Sequence, residues 1–348
     1  MFVALIMAGG SGVRFWPLST SKKPKQLLTF FSDKTLLRET YERVRPLCDF
    51  SSIFISTNPT LASSIRKELP ELPFDRLIIE PEKRDTSAAI GYAATIISKY
   101  FDNPTIAVLP SDHWIANNEE FRKTLMMAAG DSAGNKIVTI GIAPTKPETG
   151  YGYIETPSAQ ISGPQGILSF HEKPDYKTAV NYLSEKRFLW NSGIFVFSSS
   201  TLFSAFEKYA PSTYNILMQI KNELRQDKRA ISQRKIKRLF AMIEKKSIDY
   251  AIMEKAENID VVPGFFGWND VGSFLAFDEL LSKDLSKNVV KNTNYISFDS
   301  ANNVIVSDKM HQRVSLLGIH DSVIIITSKE ILVAKKNSLA DLKKINHQ

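Results

Sequence analysis

Residues 8–27 read Ala-Gly-Gly-Ser-Gly-Val-Arg-Phe-Trp-Pro-Leu-Ser-Thr-Ser-Lys-Lys-Pro-Lys-Gln-Leu and follow the apolar run Phe2–Met7. The run reads as a buried strand and the glycines as the loop it feeds. Gly9, Gly10 and Gly12 carry no Cβ and tolerate positive φ, so a phosphate chain can approach their backbone N–H groups. Arg14 and Lys25 add two cations. Pro17 and Pro24 each remove a donor and fix φ, which suits a long rigid loop over a ligand better than a mobile linker. The stretch reads as a site for a nucleoside triphosphate. A Walker loop would need Gly-Lys-Ser/Thr after four residues, and the dinucleotide pattern G-x-G-x-x-G breaks at Phe15, so neither an ATPase nor a dehydrogenase is favoured.

Outward from that loop, short apolar runs alternate with helical patterns. Residues 52–56, 77–79, 105–109 and 137–140 read as strands, and 35–47 and 87–100 as helices between them. This βαβ rhythm predicts a mostly parallel sheet covered by helices. Ligands then belong in the crevice beyond the strand C-termini, where 8–25 and 110–114 would both lie. Residues 150–200 read as strands and loops, followed by helices to about 256. After residue 282 short β runs return at 304–307, 314–319, 323–327 and 331–334, closed by an amphipathic helix over 338–345. These patterns divide the chain into a catalytic domain, 1–284, and a small C-terminal β domain with a terminal helix, 285–348.

Composition bounds the class. The 348 residues, 43% of them hydrophobic, can bury a full core. Phe2–Met7 is too short for a signal peptide's apolar region and lacks a basic leader, and no apolar run approaches the roughly 20 residues of a membrane helix. Cys48 is the single cysteine, which excludes an internal disulfide and agrees with a reducing cytoplasm. The net charge of +7 comes from residues 221–246, which hold ten Lys/Arg against three Asp/Glu and leave the rest balanced. One basic helical stretch without interleaved aromatics reads as a solvated face, not a nucleic-acid site.

Further chemistry is scattered. Asp112, in Leu-Pro-Ser-Asp-His-Trp after an apolar strand, is a candidate magnesium ligand. Mg²⁺ is usually held by one or two carboxylates plus phosphates and water, so a second carboxylate is expected far away in sequence. Asp270 in Phe-Gly-Trp-Asn-Asp-Val-Gly-Ser fits, although an Asp before a helix also reads as an N-cap. In Glu80-Pro-Glu-Lys-Arg-Asp-Thr86, Asp85 or Thr86 reads as the cap of the next helix. Three middle motifs suit a sugar phosphate. Gly150-Tyr-Gly-Tyr-Ile-Glu155 sets flexible backbone beside a carboxylate that can accept from hydroxyls. Phe170-His-Glu-Lys-Pro174 offers Glu172 for hydroxyls and Lys173 for a phosphate. Trp190-Asn-Ser-Gly193 adds an amide that both donates and accepts. The stretch 247–254 reads as a Ser-capped amphipathic helix with a structural role.

Taken together and in order, these motifs resemble the sugar-1-phosphate nucleotidyltransferases. Phe-Trp-Pro-Leu-Ser, Pro-Lys-Gln-Leu and the 247–254 stretch look most like the guanylyltransferases that act on mannose 1-phosphate. The resemblance covers roughly residues 2–345. It implies an α/β fold, with a Rossmann-like nucleotidyltransferase domain on a mostly parallel mixed sheet and a β-helix-like C-terminal domain. It also implies the reaction of GTP with α-D-mannose 1-phosphate to GDP-mannose and diphosphate, with Mg²⁺ as cofactor. By resemblance Ala8, Gly9, Gly10, Gly12, Arg14, Lys25, Glu80, Pro81, Arg84, Thr86, Ser111 and Asp112 contact the nucleotide. Gly152, Glu155, Glu172, Lys173, Asn191 and Asp270 contact the sugar phosphate, and Asp112 and Asp270 hold the metal. The catalytic set is Arg14, Lys25, Asp112, Lys173 and Asp270.

The 80–88 loop departs from the family pattern, with Asp85 for asparagine and Ser87-Ala88 for alanine-proline. His171 fills a position often aliphatic, and strand alternation turns it from the pocket. A single activity is expected, in the cytoplasm, by a homodimer joined through the small β domain and its last helix. The alternatives are a guanylyltransferase for another sugar 1-phosphate, such as a manno-heptose, and a catalytically silent regulatory paralogue.

Overall fold

The computed structural model describes residues 1–10, 13–159, 161–225, 229–308 and 313–345; Gly12 lies outside the described residues. The described chain forms two compact units. The first takes 1–9, 40–111 and 115–268, and the second takes 10–39, 112–114 and 269–348.

The first unit is built on a ten-stranded mixed sheet. Its strands are β1 (Phe2–Met7), β2 (Ile53–Thr57), β3 (Leu77–Ile79), β4 (Thr105–Pro110), β5 (Ile137–Ile142), β6 (Tyr153–Glu155), β7 (Gln165–Gly166), β8 (Ser169–His171), β9 (Phe188–Ser198) and β10 (Ile259–Pro263). Their order is β3-β2-β1-β4-β9-β5-β10-β7, with β6 pairing β9 and β8. β1, β2, β3 and β4 run parallel, as do β5 and β10, whereas β9 is antiparallel to β4, β5 and β6. The middle of β1 and all of β5 are buried because helices cover both faces, which is why these strands read as continuous apolar runs. The helix Asp85–Ile97 packs so closely that a Cβ at Gly91 would lie 2.6 Å from Leu217.

Hydrogen bonds knit the strand ends. The Ala8 N–H donates to the Ser56 carbonyl, Glu80 N–H to Thr57 and Ser111 N–H to Met7. The C-terminal ends of β1 to β4 thus meet at one edge, where doubly wound sheets place ligands.

The second unit stacks short parallel strands: β11 (Val289–Lys291), β13 (Val304–Ser307) and β15 (Ser322–Ile326) on one side, β12 (Tyr295–Phe298) and β14 (Val314–Leu317) on another, with β16 (Ile331–Lys335) antiparallel to β15. This is a small β-helix. Val289, Val304 and Val323 stack in register and point into its core. That core also holds Phe15, Leu28 and Phe30 from the opening loop and Phe274 and Phe277 from the segment before the β-helix. Phe15 is fully buried, with ring centroids 4.8 Å from Phe30 and 5.0 Å from Phe274. The compact units are therefore cut differently from the sequence division near residue 284: residues 10–39 pack with the β-helix. The closing helix is also shorter than the pattern over 338–345, with a 3₁₀ segment Lys336–Asp341 leading to Leu342–Ile345.

Candidate functional site

In the second unit, Lys25 joins the two carboxylate motifs. It is buried, its Nζ 2.9 Å from Asp112 Oδ2, and it donates to the Asp270 carbonyl oxygen at 2.5 Å. Burial pushes the Asp112 carboxyl up, but the Lys25 ammonium and His113 outweigh it and hold the pKa below the ordinary aspartate value. Next to Lys25, Gln26 donates its side-chain amide to the Gly10 carbonyl at 3.1 Å and so fixes the glycine loop. Arg14 is exposed, while its neighbour Phe15 anchors the same turn in the core.

Asp270 does not cap a helix. The next helix is Leu275–Leu280, and its cap residue is Phe274. Instead the chain turns sharply: Val271 is fully buried at φ +49°, a left-handed conformation rare for a β-branched residue, and its N–H donates to Asn269 Oδ1 at 2.7 Å. Glycine at 272 leaves room for the Asp270 carboxylate, which a Cβ would meet at 2.9 Å from Oδ2 and push aside.

The Asp112 and Asp270 carboxylates are hard oxygen donors on segments tied by one lysine, which fits Mg²⁺ held by two carboxylates and substrate phosphates. Among the described residues no group of three or more His, Cys, Asp or Glu forms a richer metal site.

In the first unit, Glu80 is buried beside the start of the glycine loop. Ser56 Oγ donates to its Oε1 at 3.0 Å, and a Cβ on Gly9 would lie 3.3 Å from the same oxygen. Burial pushes the Glu80 carboxyl up to about 7, with the Ser56 hydrogen bond opposing it. The carbonyls of Ala8 and Gly9 accept from Thr57 Oγ1 and Asn58 Nδ2. Arg84 pairs with Glu82 at 3.2 Å, and Pro81 between Glu80 and Glu82 is half-buried. Neither Asp85 nor Thr86 is the cap residue of the following helix; Arg84 holds that place. The Thr86 hydroxyl accepts from the Ile248 N–H at 2.9 Å and ties the two loops together.

A second cluster in this unit gathers Gly152, Glu172, Lys173, Asn191 and Asp249. The Glu172 side chain is buried and pairs with the Lys173 ammonium, and a Cβ on Gly152 would lie 2.7 Å from Glu172 Oε2 and 3.3 Å from Asn191 Cβ. Burial alone would lower the Lys173 pKa, but Glu172 and Asp249 raise it above the usual lysine value, so it stays charged. Trp190-Asn-Ser-Gly is a bulge in β9: its register against β5 shifts between Asn191 and Phe195, and Gly193 sits at φ +71°. Asn191 Oδ1 accepts from Thr139 Oγ1 and the Gly193 N–H, and its Nδ2 donates to Asp249 Oδ1 at 3.2 Å. Asp249 opens a π-helical turn, Asp249–Met253, in place of the ordinary helix that the pattern predicts. Its burial, and then the Glu172 charge, push its carboxyl up to about 6. Tyr151, Trp190 and Trp268 form an aromatic wall from three separate motifs, with centroids 5.2 and 5.3 Å from Tyr151.

Glu155 is not in this cluster. It lies on the opposite face of the β6–β8 pair, 2.6 Å from Arg187, accepting from Ser169 and 3.9 Å from His171, whose ring packs against Tyr182. His171 faces away from Glu172, as strand alternation requires. Sequence reading missed Gln26 and Asp249. Gln26 lies inside the quoted Pro-Lys-Gln-Leu run, and Asp249 is the one acid opening an otherwise apolar stretch.

Residues 3–287 match the nucleotidyl transferase family, and residues 293–348 match the mannose phosphate isomerase/GMP-like β-helix domain. A Salmonella muenchen protein named mannose-1-phosphate guanylyltransferase is 34% identical over 347 residues, covering 99% of this chain and 72% of the relative. Mannose-1-phosphate guanylyltransferase 2 of Escherichia coli O157:H7 is 35% identical over 354 residues, covering 99% and 72%. Among solved structures, one described as a mannose-1-phosphate geranyltransferase from Thermus thermophilus superposes with a TM-score of 0.89 at 31% identity, covering 99% of this chain and 98% of that one.

Proposed function

The chain belongs to the nucleotidyl transferase family, and from that premise we propose that it is a mannose-1-phosphate guanylyltransferase, joining GTP to α-D-mannose 1-phosphate to give GDP-mannose and diphosphate. A mannose 1-phosphate oxygen attacks the α-phosphorus of GTP in line with the departing diphosphate. The nucleophile is already an anion, so no general base is needed and the protein works by alignment and charge neutralisation. Lys25 stands at the α-phosphate, Arg14 meets the phosphates that leave, and Lys173 holds the sugar phosphate for attack. Asp112 and Asp270 would hold Mg²⁺, which supplies charge neutralisation to the triphosphate. Glu172 and Asp249 accept from sugar hydroxyls, and Asn191 holds Asp249 in place. Glu80, beside Gly9, accepts from the guanine N–H groups when ionised. No helix among the described residues is long and apolar enough to cross a membrane; with a single cysteine, we place the reaction in the reducing cytoplasm.

The observation that carries this reading is the buried lysine of the opening motif bonded to both distant carboxylate segments. The test is diphosphate release by pure protein with Mg²⁺, pairing GTP, ATP, UTP and dTTP with mannose, glucose and heptose 1-phosphates. Release confined to GTP with mannose 1-phosphate supports it; turnover with another pair keeps the chemistry and replaces the substrate, and silence with every pair removes the reaction.

A further inference from the structure

Within the second unit a cavity of about 260 Å³ opens between residues 16–30 and the C-terminal ends of β11, β13 and β15. Its volume is on the scale of a small ligand. None of the Lys25, Asp112 and Asp270 group lines it.

Its charge is unbalanced. Lys23, Lys291 and Lys329 line it against two acids, Asp308 and Glu330. Lys291, at the end of β11, has no acceptor or carboxylate within bonding distance among the described residues, and burial lowers its pKa with nothing opposing. A partly desolvated ammonium without a partner costs free energy that an incoming anion recovers. Other lining groups suit the rest of a sugar: the Asn292 amide and the Thr327 turn for hydroxyls, the Trp16 and Phe30 rings for an apolar C–H face.

We propose that this cavity binds a small phosphate dianion, either free phosphate or the monoester of a hexose, with Lys291 as the cation that takes it. The site stands apart from the reaction proposed above and does not depend on it. One wall is the loop that carries Lys25, so an occupant steadies that loop.

The test is calorimetric titration of the full chain with inorganic phosphate, mannose 6-phosphate and unphosphorylated mannose, with hydrogen exchange to locate the site. Mannose 6-phosphate should bind with Kd of about 1 mM or tighter, weaken at least roughly tenfold in Lys291→Gln, and stay near wild type in Lys291→Arg. Exchange should slow at 291–292, 307–308 and 327–330. Phosphate binding as tightly as mannose 6-phosphate identifies the anion alone as ligand, and tighter binding of the ester identifies the sugar phosphate. The proposal falls if mannose binds equally well, if nothing binds, if Lys291→Gln leaves Kd unchanged, or if exchange slows only elsewhere. Should Lys291→Gln lower Tm, Lys329→Gln, on an exposed turn, removes a charge from the same cavity without touching β11.

Discussion

Lys25 concentrates two tasks in one side chain. Its ammonium neutralises Asp112 and fixes the Asp270 backbone, and in the reaction proposed above it also neutralises the α-phosphate, so its loss should disturb both the charge and the spacing of the carboxylates. Lys25→Ala should therefore lower kcat and kcat/KM in parallel by about 10²–10³ in steady-state diphosphate release. A change in KM alone would place Lys25 in uniform binding and remove it from the transition state. Glu80 is a different kind of residue, a buried carboxyl whose folded pKa of about 7 lies above its ordinary value of 4.5. The folded protein then holds a proton that the unfolded chain gives up between those values. The associated stability is present below pH 4.5 and lost as pH rises through about 7. Thermal unfolding of Glu80→Gln should match wild type near pH 4.5 and exceed it progressively towards pH 8. A constant difference across that range would show that Glu80 does not titrate there.

At the scale of elements, the cluster around Glu172 and Lys173, which the proposed reaction assigns to the sugar phosphate, depends on one missing side chain and one bulge. Gly152→Ala would drive a methyl to within 2.7 Å of Glu172 Oε2. The buried carboxylate has to move, and with it Lys173, so KM for mannose 1-phosphate should rise roughly 10–100-fold while Tm changes little. Gly141 in β5 faces Leu189 and Val261, where a Cβ would lie 2.5 and 2.8 Å from their methyls. Gly141→Ala should instead cost about 1–3 kcal/mol of stability by overpacking the sheet, read as a fall in the chemical denaturation midpoint. Here the sequence was legible in part. Alternating apolar runs and helical periods located β1 to β5, because burial on both faces leaves a plain pattern. The motif reading put Glu155 with the sugar contacts, but it lies three residues from Gly152, and strand alternation carries it to the other face of β6, beside Arg187 and Ser169. The bulge that diverts Asn191 to Asp249 was not legible, because its cause is the register of β9 against β5, residues far apart in sequence.

The molecule as a whole is organised by a contact that no local pattern announces. Apolar runs mark a β domain after residue 284, but they do not show that Phe15, Leu28 and Phe30, some 250 residues earlier in the chain, complete its core. The opening loop is polar and glycine-rich around those aromatics, so their burial is decided by Phe274, Phe277 and the β-helix valines. Removing 285–348 would therefore do more than delete a peripheral module. Phe15, Phe30 and Phe277 would lose the apolar surface of Val289, Val304 and Val323, and at about 25 cal/mol per Å² the exposure of several such side chains amounts to several kcal/mol. The segment left without its core is the one bearing Arg14, Lys25 and the Asp270 turn. A chain ending at 284 should thus lose turnover, with rapid proteolysis and fast hydrogen exchange across 13–36, while β1 to β5 remain protected. Wild-type turnover by the truncated chain would mean that the loop holds its form without the β-helix.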